Sequence, residues 1–167
     1  DYHGANWDLG EDPSTLPAWP FAENRVNWDR IYGGWTALGY DVLVSLMFTE
    51  LPPERWSNLP EQAQAYGESF AAYFGPGGQG TVPTVQIGNE PTNWDDAQFR
   101  TLFEHTARGV RAGDPAMRIA TCAAHAAPSD TYSKGLDAVF ADIGDLYDII
   151  TVNAYAFVEG WPTWRRS

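Results

Sequence analysis

Apolar residues follow two patterns that alternate along this chain. Four segments repeat apolar side chains every three or four residues, as amphipathic helices do. Four other segments are short and almost continuously apolar, as strands buried in a parallel sheet are. The predicted helices are 27–38, 60–74, 95–113 and 133–143, and the predicted strands are 41–48, 84–90, 117–123 and 147–155.

Residues at the boundaries of these segments indicate where the predicted helices begin and end. Gly39 ends the first predicted helix, and the run 75–78, Gly-Pro-Gly-Gly, ends the second. Asp95 is a predicted N-cap of the third helix, and Gln98 three residues later completes a pair of the capping-box type. Each predicted strand is therefore separated from the next by a helix with defined ends.

Strands that alternate with helices predict right-handed βαβ units and a parallel α/β sheet. Both a doubly wound sheet and a (β/α)8 TIM barrel meet this description. The glycine-rich run 75–78 follows a helix rather than a strand, so it is not a phosphate-binding loop, and the barrel is favoured. Four strands and a candidate fifth near the N-terminus fall short of eight, and a barrel takes at least about 200 residues. We therefore interpret residues 1–167 as one domain, a partial TIM barrel and an internal piece of a longer chain.

The second predicted strand ends in Gly88-Asn89-Glu90-Pro91. Pro91 cannot donate to a sheet ladder, and it restricts Glu90 to an extended conformation. Glu90 is therefore predicted at the carboxyl end of a strand, where α/β sheets keep their chemistry. A carboxyl group fixed there, beside the amide of Asn89, suits a general acid for glycosidic bond cleavage. The alternative is an acidic residue that ends a strand without a function.

Composition narrows the function further. The formal net charge of −12 disfavours a nucleic-acid partner, because phosphates need a basic surface. No apolar run reaches membrane length, so a soluble protein without a membrane partner is expected. No leader is visible at the N-terminus, and a secreted or periplasmic protein whose leader has been removed is favoured. Eight tryptophans could fill a core or stack on sugar rings, and we place Trp28 and Trp35 in the core.

The strand that ends in Asn89-Glu90-Pro91 resembles the fourth strand of the large clan of retaining (β/α)8 glycoside hydrolases. The chain resembles glycoside hydrolase family 39, which contains β-xylosidases and α-L-iduronidases, or a near neighbour of that family in the same clan. Residues 148–155, Asp-Ile-Ile-Thr-Val-Asn-Ala-Tyr, resemble the sixth strand of that family, so the chain would cover about strands 2 to 6. Asn153 stands where histidine is common in the family, which leaves the fine specificity open.

The resemblance implies a retaining double-displacement mechanism on an oligo- or polysaccharide, without a cofactor or metal ion. Glu90 would be the general acid/base, and the nucleophile would be a glutamate beyond residue 167, so this fragment alone is expected to be inactive. Glu50 and Glu159 are less favoured as catalytic carboxylates. The predicted substrate-binding residues are Asn89, Tyr155, Asn153, Trp161, His3, Trp7, Glu50 and Trp94.

Other interpretations remain open at this stage. Tyr155 and Trp161 could pack on the core rather than bind sugar. The chain could be a non-catalytic carbohydrate-binding barrel fragment or a pseudoenzyme. An unrelated barrel enzyme such as an aldolase lacks its expected lysine or metal ligands here. The pair Cys122 and His125 has metal-ligand spacing but no further ligands, so Cys122 is expected in the core and His125 at a strand end.

Overall fold

The computed structural model describes residues 13–21, 25–48, 51–126 and 128–153, together with the backbone of residues 2 and 3. Its helices are α1 (Trp28–Ala37), α2 (Leu59–Phe74) and α3 (Asp96–Gly113), with one 3₁₀ turn at Pro53–Arg55 and one π-helical turn at Leu136–Phe140. Its strands are β1 (Tyr2–His3), β2 (Leu43–Leu46), β3 (Thr84–Ile87), β4 (Arg118–His125), β5 (Lys134–Gly135) and β6 (Ile149–Thr151). The predicted alternation of helices and strands is confirmed over 27–123.

Two helices begin at the residues that the sequence indicates. The side chain of Asn27 accepts the backbone N–H of Arg30 at 3.0 Å, which caps α1. The Asp95 carboxylate accepts the N–H of Gln98 at 2.7 Å, and the Gln98 side chain accepts the N–H of Asp95, which completes the predicted capping box of α3. These caps satisfy backbone donors that have no partner inside the helix.

Every strand pairing in the described sheet is parallel. The strands lie in the order β1-β2-β3-β4-β6, and β5 pairs with the last two residues of β4. From β1 to β4 each strand pairs with the next one along the chain, and β5 and β6 both pair with β4, so the order does not reverse within the described part of the chain. The predicted α/β class with a parallel sheet is confirmed.

The segment 133–143 was predicted as one helix, and this prediction is wrong for its first part. Lys134 and Gly135 pair with the end of β4, so the sheet takes up their backbone groups, and only Leu136–Phe140 is helical. The apolar pattern is still correct, because Val139, Phe140 and Ile143 are buried. Periodicity alone could not separate a short strand followed by one turn from a longer helix.

The core lies between the sheet and the helices. Alternate strand residues contribute to one apolar cluster with the helices, and these include Val44, Leu46, Val85, Ile87 and Ile119. Trp28 is buried as predicted, and Trp35 packs against the cluster in a partly buried position. Leu38 was expected on the same stripe but is 75% exposed, because α1 ends at Ala37 and the chain turns away.

Helices α2 and α3 approach closely because glycines face the partner backbone. A Cβ atom built on Gly109 would lie 2.1 Å from the carbonyl oxygen of Gln64, and one on Gly67 would lie 2.4 Å from that of Thr106. No side chain larger than hydrogen fits at these contacts without moving a helix. The two helices therefore pack tightly against each other, and α3 also contacts β3.

The opposite face of the sheet carries a buried polar pair. Ser45 and Gln86 are register partners on β2 and β3, and each is 5% exposed. The Ser45 hydroxyl donates to the Gln86 side-chain oxygen. The Gln86 Nε2 atom is buried and has no hydrogen-bond partner among the described residues. This face is thus polar at its centre, in contrast to the face that meets the helices.

Carboxylates hold the loops at the N-terminal ends of the strands. Asp148 Oδ2 accepts the backbone N–H of Ile119 at 2.7 Å and an Arg111 N–H at 2.9 Å, which joins β6, β4 and α3. Asp114 accepts the N–H groups of Gly77 at 2.7 Å and Ala116 at 2.9 Å. Both acids are therefore used to fix the structure.

Within the described ranges, no helix has the length and apolar character needed to cross a membrane.

Candidate functional site

The segment after β3 is held on both sides by the neighbouring strands. Gly88 has a φ angle of 74°, a left-handed conformation that favours glycine. Its N–H donates to the Leu46 carbonyl oxygen at 2.9 Å, and the Asn89 carbonyl oxygen accepts the N–H of Ala123 at 2.8 Å. The backbone that precedes Glu90 is therefore tied to β2 through Gly88 and to β4 through Asn89.

Glu90 follows at the carboxyl end of β3, half-buried, as the sequence predicted. Its carbonyl oxygen accepts the N–H of Thr92 at 2.8 Å, and the Pro91 carbonyl oxygen accepts that of Trp94 at 3.3 Å. This compact turn leads from the strand to the cap of α3 at Asp95. The position of the Glu90 backbone is thus fixed from both directions.

The side chain of Glu90 contacts one described residue through a hydrogen bond. Asn153 Nδ2 donates to Glu90 Oε1 at 2.9 Å. The two residues lie at the ends of β3 and β6, which are separated by β4 in the sheet. Glu90 Oε2 has no hydrogen bond to any described residue. Among the described residues, one oxygen of the carboxyl group therefore has a hydrogen-bond donor and the other has none.

The placement of Asn153 depends on how β6 aligns with β4. Ala120 pairs with Ile149 and Ala123 pairs with Thr151, so β4 holds one residue more than β6 between these pairs. The N–H of Thr151 donates to the Thr121 hydroxyl at 3.0 Å within this irregular stretch. Bulges of this kind re-aim side chains near strand ends. The contact between Asn153 and Glu90 follows from this register.

Trp94 does not have the free ring face that stacking on a sugar requires. It is 3% exposed and belongs to the apolar cluster, where its ring centroid lies 6.4 Å from that of Trp56 in an edge-to-face arrangement. Its Nε1 atom is buried without a hydrogen-bond partner among the described residues. Trp94 was predicted as a substrate-binding residue, but the structure places its ring in the core, because the turn after Glu90 directs the ring inward.

Lys134 on β5 holds the same turn, a role that the apolar pattern of the sequence does not predict. Its ammonium group donates to the Trp94 carbonyl oxygen at 2.6 Å and lies 3.2 Å from Asp96 Oδ1, while the residue is only 4% exposed. A buried cation is stable only when it is paired and hydrogen-bonded, which these contacts achieve. The one sequence signal for this role was that Lys134 is the single lysine of the chain, since every other Lys/Arg position is arginine.

His125 is the last residue of β4, and Cys122 lies three residues before it in the same strand. His125 Nε2 lies 3.3 Å from Asp130 Oδ2. The pKa of Asp130 is lowered chiefly because the N–H groups of Ser133 and Tyr132 donate to its carboxylate, with a smaller contribution from His125. Cys122 is in the core as predicted, and burial raises the pKa of its thiol far above the usual range. No group of three or more metal-ligating side chains occurs among the described residues.

Several predicted site residues lie outside the described part of the chain. These are Trp7, Glu50, Tyr155, Trp161 and Glu159. His3 belongs to β1, but only its backbone is described. Their roles stay predictions. Of the predicted set, the structure brings together Glu90, Asn89 and Asn153.

A separate open depression of about 340 Å³ lies at the N-terminal end of β2, lined by Trp35, Tyr40, Asp41, Val42 and Leu43. It is at the opposite end of the strands from Glu90. It is therefore not part of the candidate site.

The protein is thus of the mixed α/β class with a parallel sheet, and its candidate site is a carboxylate at the carboxyl edge of that sheet. No protein-family model and no curated protein matches this chain.

Proposed function

We propose that this protein is a retaining glycoside hydrolase in which Glu90 is the general acid/base. The observation that carries the proposal is the state of the Glu90 carboxyl group. It is half-buried at the carboxyl end of a parallel strand, with Oε1 bonded to an amide donor and Oε2 without a partner among the described residues. A rigid carboxyl group with one available oxygen can give up a proton and take it back.

The second part of the proposal is that the sheet belongs to a (β/α)8 barrel. From β1 to β4 consecutive strands are neighbours, and β5 and β6 both follow on β4, whereas a doubly wound sheet reverses its strand order at a switch point. Glu90 and Asn153 also touch across β4, although strands two places apart are separated by about 10 Å. Side chains that meet over an intervening strand favour a sheet that curves toward them, as the wall of a barrel does.

The proposed reaction proceeds in two displacements. A second carboxylate attacks the anomeric carbon while the glycosidic C–O bond breaks and Glu90 gives its proton to the leaving oxygen. Water then attacks the anomeric carbon, its proton returns to Glu90, and the nucleophilic carboxylate is released. In retaining enzymes the two carboxyl groups lie about 5 to 5.5 Å apart.

The substrate class follows from the same chemistry. A neutral oligo- or polysaccharide is compatible with a strongly acidic protein, whereas an anionic polymer would be repelled by the net charge of −12. Asn89 lies next to Glu90 in the chain, and its amide is proposed to bind a sugar hydroxyl. Contacts from His3, Trp7, Glu50, Tyr155 and Trp161 remain part of the proposal as predictions.

The decisive test replaces Glu90 by glutamine in the protein expressed from the complete reading frame. Phenyl and 2,4-dinitrophenyl β-D-xylosides, β-D-glucosides and α-L-arabinosides serve as substrates. Loss of the general acid is expected to lower kcat/KM on the phenyl substrate about 100- to 10,000-fold. Added azide should restore turnover of the dinitrophenyl substrate, because this leaving group needs no proton and azide needs no general base.

The matched control is Glu68→Gln, the same change on an exposed position of α2. It should leave both substrates unaffected. Unchanged hydrolysis of phenyl glycosides by Glu90→Gln would remove Glu90 from the proposed role. A wild-type protein that binds a saccharide but cleaves no member of the panel would indicate the carbohydrate-binding alternative.

A further inference from the structure

The two oxygens of Glu90 are not equivalent, and the difference is set by one neighbour. Asn153 Nδ2 donates to Oε1 at 2.9 Å. A carboxylate accepts hydrogen bonds at both oxygens, but a neutral carboxylic acid carries its proton on one oxygen and accepts best at the other. An N–H donor fixed on Oε1 therefore favours the acid form in which Oε1 is the carbonyl oxygen and Oε2 carries the proton.

The donor itself is held by the sheet. Asn153 follows β6 by two residues, and the last residue of β6, Thr151, pairs with Ala123 and donates to the Thr121 hydroxyl. Ala123 in turn donates to the carbonyl oxygen of Asn89, the residue before Glu90. The acid and its donor are thus linked through β4 by strand pairing, by a backbone hydrogen bond of Ala123 and by the Thr121 hydroxyl, so the sheet fixes their relative position.

We propose that Asn153 is a positioning residue for Glu90, and that it makes Oε2 the oxygen that transfers the proton. This inference rests on the proposed function. In the first displacement the proton leaves Oε2 for the glycosidic oxygen as the C–O bond breaks, and Glu90 becomes a carboxylate. In the second, a proton of the attacking water returns to Oε2. Asn153 gives up no proton in either step and does not need to touch the sugar.

An amide is suited to this task because it donates at every pH. An imidazole at the same position would also donate an N–H, but it would gain or lose a proton near neutrality. An aspartate would fill the same volume and present only oxygen atoms to Oε1. These three side chains therefore separate the size of the residue from its ability to donate.

The test compares Asn153→Ala, Asn153→Asp and Asn153→His in the protein from the complete reading frame. The probes are phenyl and 2,4-dinitrophenyl glycosides of the sugar that the wild-type protein cleaves best in the panel above. Poor orientation of the acid is expected to lower kcat/KM of Asn153→Ala about 10- to 100-fold on the phenyl substrate. The dinitrophenyl substrate should change less than about 3-fold, because its departure needs little acid catalysis.

The other two variants test whether the side chain at position 153 must donate an N–H. Asn153→Asp should lose at least as much activity on the phenyl substrate as Asn153→Ala, whereas Asn153→His should recover part of it through its N–H. Asn58→Ala is the matched control, since Asn58 makes no side-chain cap bond at the start of α2. Thermal unfolding of each variant shows that the comparison is made on folded protein.

Three outcomes would overturn the inference. One is an equal loss on both substrates with a raised KM, which would assign Asn153 to sugar binding. Another is wild-type activity of Asn153→Asp on the phenyl substrate, and the third is the same loss in Asn153→His as in Asn153→Ala. If Glu90→Gln itself leaves phenyl hydrolysis intact, the proposed function fails first, so the two failures are distinguishable.

Discussion

The two ends of the parallel sheet use carboxylates in different ways. At the N-terminal ends of the strands, a single Asp148 oxygen accepts two donors, from Ile119 and Arg111, and each Asp114 oxygen accepts a backbone N–H. At the C-terminal ends, Glu90 accepts one amide donor on Oε1 and none from described residues on Oε2. The first end uses its acids to join loops, whereas at the second end Asp130 holds a loop and Glu90 has one oxygen without a hydrogen bond to a described residue.

In (β/α)8 barrels, residues at the N-terminal ends of the strands typically stabilise the fold, and residues at the C-terminal ends carry out catalysis. The difference between Asp148 and Glu90 agrees with this pattern. Buried polar atoms without a described partner occur toward both ends, Gln86 Nε2 and Trp94 Nε1 at the second and Thr81 Oγ1 at the first, so they do not contribute to the contrast. Unpaired buried polar groups cost stability, so a fold retains few of them. The comparison can be tested by changing one end at a time.

The largest effect is expected at Glu90. Glu90→Gln should reduce hydrolysis of phenyl glycosides about 100- to 10,000-fold. Its stability should remain within about 0.5 kcal/mol of the wild type, because the glutamine oxygen can still accept from Asn153. Kinetics and urea unfolding on the same sample give both values, and a large loss of stability would contradict the division between the two ends.

Cys122 lies in β4 between the two ends of the sheet, so the rate at which its thiol is modified measures how often this region opens. Burial raises the pKa of its thiol, so the reactive thiolate is suppressed in the folded protein. Modification by a thiol reagent at pH 8 should be about 100- to 1,000-fold slower than in urea, since the chain must open first. Glu90→Gln should leave this rate unchanged. Rapid labelling of the folded protein would place Cys122 outside the core.

Asp148→Ala should lower stability and leave kcat unchanged, which is the opposite of the effect expected for Glu90→Gln. Asp148→Ala leaves the Ile119 N–H and the Arg111 guanidinium without this acceptor, and the free energy of unfolding should fall by about 1–3 kcal/mol. The kcat of the remaining folded protein should stay near the wild-type value. Asp142→Ala, at an exposed position, is the control and should change stability by less than about 0.5 kcal/mol. A selective loss of kcat in Asp148→Ala would contradict the comparison.

The smallest effect concerns Asp130 and acid stability. The pKa of Asp130 is below its ordinary value of 3.8 in the folded state. Its contribution to stability is therefore present above the unfolded value, near 3.9, and is lost as the pH falls through the lower folded value. The side chain is 57% exposed, so the contribution is small. Below about pH 4, the melting temperature of the wild type should approach that of Asp130→Asn, and a gap that widens toward low pH would disagree with this sign.

Much of the fold could be predicted because its signals are local. The capping box at Asp95 and Gln98, the strand Thr84–Ile87 and the helix start at Asn27 each depend on residues a few positions apart. The position of Glu90 at a strand end followed from the proline after it. The start of the short helical turn at Leu136 could not be predicted, because pairing with β4 decides it.

The amino-acid sequence by itself determined the order of helices and strands, the parallel class of the sheet and the carboxylate at its carboxyl edge. Only the tertiary structure decided that Asn153 meets Glu90, that Lys134 is buried against the Trp94 carbonyl, and that the Trp94 ring points inward. Asn153 and Glu90 are 63 positions apart along the chain, and their contact depends on the register of β6 with an irregular β4. Local side-chain preferences fix the elements, whereas the pairing of distant strands fixes which side chains meet.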